Sequence, residues 1–261
     1  MMRLPSVYVS HGSPMVLLNN TPARDFLAGF GRELGKPKAI LICSAHFETS
    51  VPALSVDEKP QMIYDFGGFP RPLFEMVYAA PGSPDLAKRA AELLAQHGIT
   101  AYGVANRGFD HGTWVPLKLM YPDADVPVVQ LAVQPEMDGL HHMKLGEALA
   151  PLRDEGVLVI GSGSMTHNLY ELSRLGRDMD LATPDWVTTF GEWAHQAIEE
   201  GRRDDIAHWE RAPFARENHP SPEHFLPLPF AMGAAGKNPK GKRVHTSCEY
   251  GVLMMDAYAF D

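Results

Sequence analysis

Cysteine is scarce in this chain of 261 residues: there are two, Cys43 and Cys248, far apart. That excludes a secreted framework built on several disulfides. Positive charge is also short, with Lys plus Arg at 23 against Asp plus Glu at 32, a net of −9. A chain of that sign lacks the basic footprint that non-specific nucleic-acid binding needs. No apolar run approaches the roughly 18 residues that span a bilayer. The start, Met1 to Ser10, has one Arg, then Pro5 and a four-residue apolar-leaning run, too short for a signal-peptide core. A soluble, cytoplasmic protein with no membrane or nucleic-acid partner is expected; composition carries no signal for an oligomeric state. Several catalytic signatures are missing too. Gly161-Ser162-Gly163-Ser164 lacks the Gly-Lys-Ser/Thr ending of a phosphate loop. Ser13 and Ser164 lack the Gly-x-Ser-x-Gly frame of a serine hydrolase. His-Glu-x-x-His does not occur.

Apolar residues are ample at 45% of the chain, with 21% charged, the balance of a globular fold. Strands are expected at Ser6–Ser10, at Ala39–Ala45 ending at His46, at Ala53–Val56, Thr100–Val104 and Val126–Gln134, and at Val157–Ile160. The runs at 39–45 and 157–160 are continuous and apolar, the pattern of strands buried on both faces. Helical spacing appears over Thr21–Leu34, from Ser83-Pro84 to His97 with Gly98 as its cap, over Asp138–Asp154, and over Pro184–His208 with a break near Gly201. Pro222–Ala235 is expected as a helix kinked by Pro227 and Pro229. The tail, Arg243–Tyr250 and Val252–Phe260, is expected as a hairpin closing on the sheet. No linker divides the chain. The expectation is a single α/β domain over residues 1–261, with a central mostly parallel or mixed sheet flanked by helices.

Histidine is abundant, at 12 with no His-rich tract. Ligands of open α/β sheets bind outside the carboxyl ends of the strands. His11, His46 and His167 each follow a strand there; His111 lies in a polar loop, and His224 opens the late helix. Singly, each reads as an ordinary structural histidine; together, imidazoles from several loops at one sheet edge can form a metal site of the Zn, Fe, Cu or Ni type. Small neighbours (Gly12, Ser44, Ala45, Gly112, Gly161, Gly163) leave room for close approach. The other seven read as caps, packing or surface: His97 at a helix end, His141 and His142 at a helix start, His195 and His208 in helices, His245 in the hairpin, and His219 left open beside His224. Cys43 reads as core. Trp114, Phe47 and Phe225 flank site residues and are either core or the walls of an aromatic slot. Arg71 and Arg107 are candidates for reading a substrate carboxylate.

Ser10-His11-Gly12-Ser13-Pro14, Ser44-Ala45-His46-Phe47-Glu48, Asp110-His111-Gly112-Thr113-Trp114-Val115-Pro116-Leu117, Gly161-Ser162-Gly163-Ser164-Met165-Thr166-His167-Asn168-Leu169 and Asn218-His219-Pro220-Ser221-Pro222-Glu223-His224-Phe225-Leu226-Pro227-Leu228 occur in that order. Together they resemble the class III extradiol ring-cleavage dioxygenases, in the 4,5-DOPA extradiol branch, over about residues 6–260. The resemblance implies a metal-dependent enzyme that opens a small catechol with O2 to a semialdehyde acid. It implies metal ligation by His11, His46 and His224, with His167 as acid/base and a ligand in some metal-loaded forms. It implies that His111 contacts the catechol. Non-haem Fe(II) is the metal expected for catalysis. Protocatechuate-cleaving relatives use two His and one Glu, whereas His224 stands here beside Glu223 and Glu217. Three or four imidazoles suit Zn(II) as well. Two other readings use the same cluster: a zinc hydrolase with His167 or Glu48 as base, and a metal-binding protein without turnover.

Overall fold

The computed structural model describes residues 3–176, 178–179, 181–237 and 239–261. Met1 and Met2, in the N-terminal stretch considered above, lie outside them. Among the described residues there are ten strands: β1 Ser6–Ser10, β2 Ala39–Glu48, β3 Ala53–Ser55, β4 Tyr102–Val104, β5 Val128–Val133, β6 Val157–Gly163, β7 Gly241–His245, β8 Cys248–Glu249, β9 Leu253–Met254 and β10 Ala257–Phe260. Eight of them make one mixed sheet in the order β4-β3-β5-β2-β6-β1-β10-β7, and β8 and β9 pair separately. The centre, β5-β2-β6-β1, is parallel. β10 adds antiparallel to β1 and β7 to β10, which is the tail hairpin expected from the sequence.

The central strands are buried on both faces, as their continuous apolar runs require. Alternate residues feed opposite cores. Val7, Val9, Ile40, Ile42 and Ile160 pack under the helices Pro22–Leu34 and His111–Met120. Leu41, Cys43, Val129, Leu131 and Val159 pack under the helices Pro84–Gln96, Gly139–Leu149 and Pro227–Ala234. Full burial of each Leu, Ile or Val contributes about 1.5–3 kcal/mol. Arg153, 1% exposed, donates to the carbonyls of Leu4, Ala234 and Phe260, tying both chain ends to this core.

Helix caps fall where the sequence puts them. Thr21 and Ser83 accept backbone N–H bonds at helix starts, and Gly98 and Gly201 take positive φ at helix ends. Four expectations change. β2 does not stop at His46 but runs on to Glu48, with a register jump against β5 between Ser44 and Glu48. His111 is not in a loop: it is the first residue of a helix, capped by the Asp110 carboxylate accepting from Thr113 N–H. The late helix covers only Pro227–Ala234, and Pro227 and Pro229 sit in its first turn, where proline costs no intrahelical bond, so there is no kink. His224 therefore lies in the turn before that helix. Short helices at Arg71–Glu75 and Leu169–Leu175 fall in stretches with no clear helical pattern.

Candidate metal centre

β1, β2 and β6 run parallel, so their carboxyl ends lie on one edge, and the site forms there. His11 directly follows β1, and its N–H donates to Gly163 O at 2.9 Å. His46 stands on the irregular stretch of β2, where the jump in register turns its side chain toward the same edge. His111 begins its helix, anchored by Asp110, which is fully buried and accepts from Ser44 Oγ at 2.6 Å and Arg107 Nη2 at 2.6 Å. Gly112 must be glycine: a Cβ there would lie 2.6 Å from Ser44 Oγ and 2.9 Å from His46 Cδ2. The His224 carbonyl accepts from Ser164 N–H at 2.9 Å, and a Cβ on Gly163 would overlap that same carbonyl. His167 is held by its N–H donating to Asn218 O at 2.9 Å.

Three imidazoles converge. His46 Nε2 lies 3.1 Å from His11 Nε2 and 3.2 Å from His224 Nε2. The other ring nitrogen of each faces an oxygen. His224 Nδ1 lies 2.9 Å from Glu223 Oε1, and His46 Nδ1 faces Asp65 Oδ2 at 3.5 Å. His11 Nδ1 lies 3.1 Å from Ser162 Oγ, whose own proton goes to Gly112 O at 2.5 Å. A carboxylate can only accept, and Ser162 has no second proton, so the hydrogen-bond network assigns the proton to Nδ1 in His11 and His224, and the Asp65 carboxylate facing Nδ1 favours the same tautomer in His46. Three Nε2 lone pairs are thus directed at one another. Lone pairs facing across 3.1–3.2 Å repel. A cation between them turns that repulsion into coordination, and neutral imidazole is a ligand for Zn and Fe. By its donor chemistry, the site fits a divalent metal.

Electrostatics agree. Burial, and after it the neighbouring imidazoles, push His11 and His224 well below the ordinary imidazole range. Burial and His111 push His46 down to about 3, against the pull of Asp65. All three are neutral, the form that binds metal.

The two remaining candidates sit around this trio. The His111 ring centroid is 3.9 Å from that of His46. Its Nδ1 lies 3.0 Å from Asp65 Oδ1, at ion-pair distance but off the axis of a straight hydrogen bond, while its backbone N–H donates to the same oxygen at 3.0 Å. Burial alone would raise Asp65, but His111 and His46 outweigh it and hold the carboxyl down at about 2. His167 stacks on His224 with centroids 3.4 Å apart and planes 10° from parallel. Burial pushes His167 down to about 4, with Glu223 pulling the other way. His11, His46 and His111 form one group whose nitrogens lie within 4.8 Å of one another; His167, Glu223 and His224 form a second.

A cavity of about 480 Å³ opens over these groups, a size suited to a small aromatic molecule. Its apolar walls are Phe66, Phe69, Leu169, Leu172 and Leu253. Trp114, Phe47 and Phe225 are core, at 0%, 4% and 0% exposed. Arg71 pairs with Glu75 on the surface, and Arg107 donates to His46 O and Asp110 and lies over the Phe47 ring. Neither lines the cavity, and among the described residues that do there is no Lys or Arg. His219 is buried but points elsewhere, its Nε2 2.9 Å from Met165 O. Sequence reasoning missed Asp65, Phe66, Phe69 and Ser162. The first three sit in an irregular stretch whose only signal is aromatics around Gly67-Gly68, and Ser162 was visible only as part of a Gly/Ser turn.

Residues 5–260 match the family model described as the catalytic LigB subunit of aromatic ring-opening dioxygenase. The chain is 45% identical over 258 residues to the 4,5-DOPA dioxygenase extradiol of Beta vulgaris, covering 97% of this chain and 95% of that one. It is 38% identical over 235 residues to the 4,5-DOPA dioxygenase extradiol of Escherichia coli K12, covering 89% and 85%. In three dimensions it matches the crystal structure of an uncharacterized protein from Escherichia coli K12, with TM-score 0.83, 32% identity, and coverage of 99% of this chain and 100% of that one.

Proposed function

The chain belongs to the LigB family of aromatic ring-opening dioxygenases, and from that premise we propose that it opens a small DOPA-like catechol by extradiol cleavage on a metal held by His11, His46 and His224. The observation that carries this reading is the meeting of three Nε2 atoms, with Nδ1 of His11 and His224 hydrogen-bonded and that of His46 facing a carboxylate. Fe(II) is the catalytic metal, and Zn(II) can occupy the same imidazoles without supporting turnover. When bound, the metal supplies Lewis acidity toward the catechol oxygens and a route for electron density to O2.

The chain's own residues do the rest. His167, neutral through burial, takes a proton from a catechol hydroxyl and returns it later in the reaction. His111, at a helix N-terminus with its Nδ1 beside Asp65, presents its other nitrogen to the substrate oxygens. Phe66, whose ring meets His111 edge-on at 5.7 Å, and Phe69 clasp the aromatic ring and keep water away. Both atoms of O2 enter the product: one completes the new acid, the other the new aldehyde. The Glu48 carboxylate at the cavity, with no Lys or Arg among the described lining residues, favours a catechol whose side chain carries an ammonium, as DOPA does. The free cysteines and the absence, among the described residues, of any helix long and apolar enough to cross a membrane support a cytoplasmic enzyme.

The test is to load metal-free protein with Fe(II) or Zn(II) under argon, add DOPA and other catechols, and then admit air. Oxygen uptake with a yellow ring-opened product in the iron sample alone is the expected result. Ester or amide hydrolysis by the zinc sample, with no oxygen consumed by the iron sample, overturns the reading in favour of a zinc hydrolase.

A further inference from the structure

The helix His111–Met120 contains Pro116 in its interior. Proline has no N–H, so the carbonyl four residues back, that of Gly112, receives no bond from residue 116. In most helices such a carbonyl turns to water. Here it is deep in the fold, and it accepts the hydroxyl proton of Ser162 at 2.5 Å, with Ser162 0% exposed. Ser162 stands on β6, where it pairs with Val9 of β1 and Ser44 of β2. Its oxygen, having given up its only proton, can only accept from His11 Nδ1 at 3.1 Å.

We propose that Ser162 is a positioning residue that fixes the tautomer of His11, and that Pro116 favours this by leaving the Gly112 carbonyl free of a competing helical bond. The relay runs from Ser162 Oγ–H to Gly112 O and from His11 Nδ1–H to Ser162 Oγ, leaving the His11 Nε2 lone pair toward His46. The alternative tautomer has a strong local attraction. With its proton on Nε2, His11 would donate to His46 Nε2 at 3.1 Å and tie up two of the three lone pairs in one hydrogen bond. Ser162 removes that option, because the alternative would leave its oxygen facing a second lone pair with no proton between them. His224 bonds a carboxylate and His46 faces one at 3.5 Å; His11 alone turns on a neutral hydroxyl, whose acceptor carbonyl a helix proline leaves free of a helical bond. This inference rests on the metal-trio reading for its effect on affinity, but its tautomer is measurable without any metal.

The experiment uses full-length protein labelled with ¹⁵N-histidine, as wild type, Ser162→Ala, Ser162→Thr and Pro116→Ala. Long-range ¹H–¹⁵N spectra of the metal-free protein read each tautomer, and competition against a chromophoric chelator reads Zn(II) affinity. In Ser162→Ala, His11 is expected to move toward the Nε2–H form while His46 and His224 keep Nδ1–H, with Zn(II) binding weakened about 10- to 100-fold. Ser162→Thr keeps the hydroxyl and is expected to restore both readouts. Pro116→Ala, which adds a competing donor at a carbonyl with two lone pairs, is expected to weaken Zn(II) binding by only about two- to threefold, less than loss of the hydroxyl. A His11 that stays Nδ1–H in Ser162→Ala overturns the proposal, and so does a shift of all three rings together, which would report general loosening. A wild type that takes up no Zn(II) but shows the expected tautomers would sink the metal reading and leave the relay standing.

Discussion

In the first turn of the helix Gly139–Leu149, His142 is as buried as His11 in the cavity, at 0% against 2% exposed. Both are pushed below the ordinary imidazole range, chiefly by burial. What separates the two regions is the second ring nitrogen. His142 lies 2.9 Å from Asp138 O through Nδ1 and accepts from Gln134 N–H at 3.1 Å through Nε2, so both atoms have partners. In the cavity, Nδ1 of His11 and of His224 has a hydrogen-bond partner and that of His46 faces Asp65, while each Nε2 faces another Nε2. Burial and a lowered pKa are therefore common to both regions. The convergent Nε2 atoms set the proposed metal site apart.

The comparison breaks first if its largest expected effect fails. His46→Ala removes the ring that faces both partners, and the purified variant is expected to hold essentially no metal and show no oxygen uptake; elemental analysis checks this. His167→Ala should keep its metal and lose about 10²–10⁴-fold in kcat. The pairing of unchanged metal content with lost turnover separates His167 from the trio. Asp65→Asn replaces a carboxylate facing two Nδ1 atoms with an amide that can turn its own N–H groups toward them, and should weaken Zn(II) binding about 10- to 100-fold by chelator competition.

His142→Gln tests the other side. Metal content and turnover should match wild type, while urea unfolding at pH 7 should show a loss of about 1–3 kcal/mol for the disturbed buried bonds. The acid response should also differ. His142 titrates at about 4 in the fold against about 6.5 unfolded, so between these values the unfolded chain binds the extra proton. Its contribution to stability is whole above pH 6.5 and is lost as pH falls toward 4, by about 2–3 kcal/mol at pH 4.5. The metal-free variant should lose that much less than metal-free wild type between pH 7 and pH 4.5. Equal losses would show that His142 is not held neutral.

Much of the scaffold was legible because its signals are local. Continuous apolar runs mark β2 and β6, Ser83-Pro84 and Gly98 bracket one helix, and Gly201 ends another. His11, His46 and His167 were legible through their places after strands, and all five cavity histidines through the family motifs around them. The remainder depends on contacts across the fold. His111 looked like a loop residue because Pro116 masks the helix that Asp110 and Thr113 begin. The irregularity that aims His46 exists only in the pairing of β2 with β5. Asp65, Phe66 and Phe69 reach the cavity from an irregular stretch, so no periodicity marks them. Arg107 looked available to a substrate but is taken up by Asp110 and His46 O.

The most direct test is a crystal of the Zn(II)-loaded protein measured on both sides of the zinc absorption edge. One anomalous peak is predicted at about 2.0–2.1 Å from each Nε2 of His11, His46 and His224. A peak held instead by Glu223 and His167, or none within bonding distance of His11, would contradict the account.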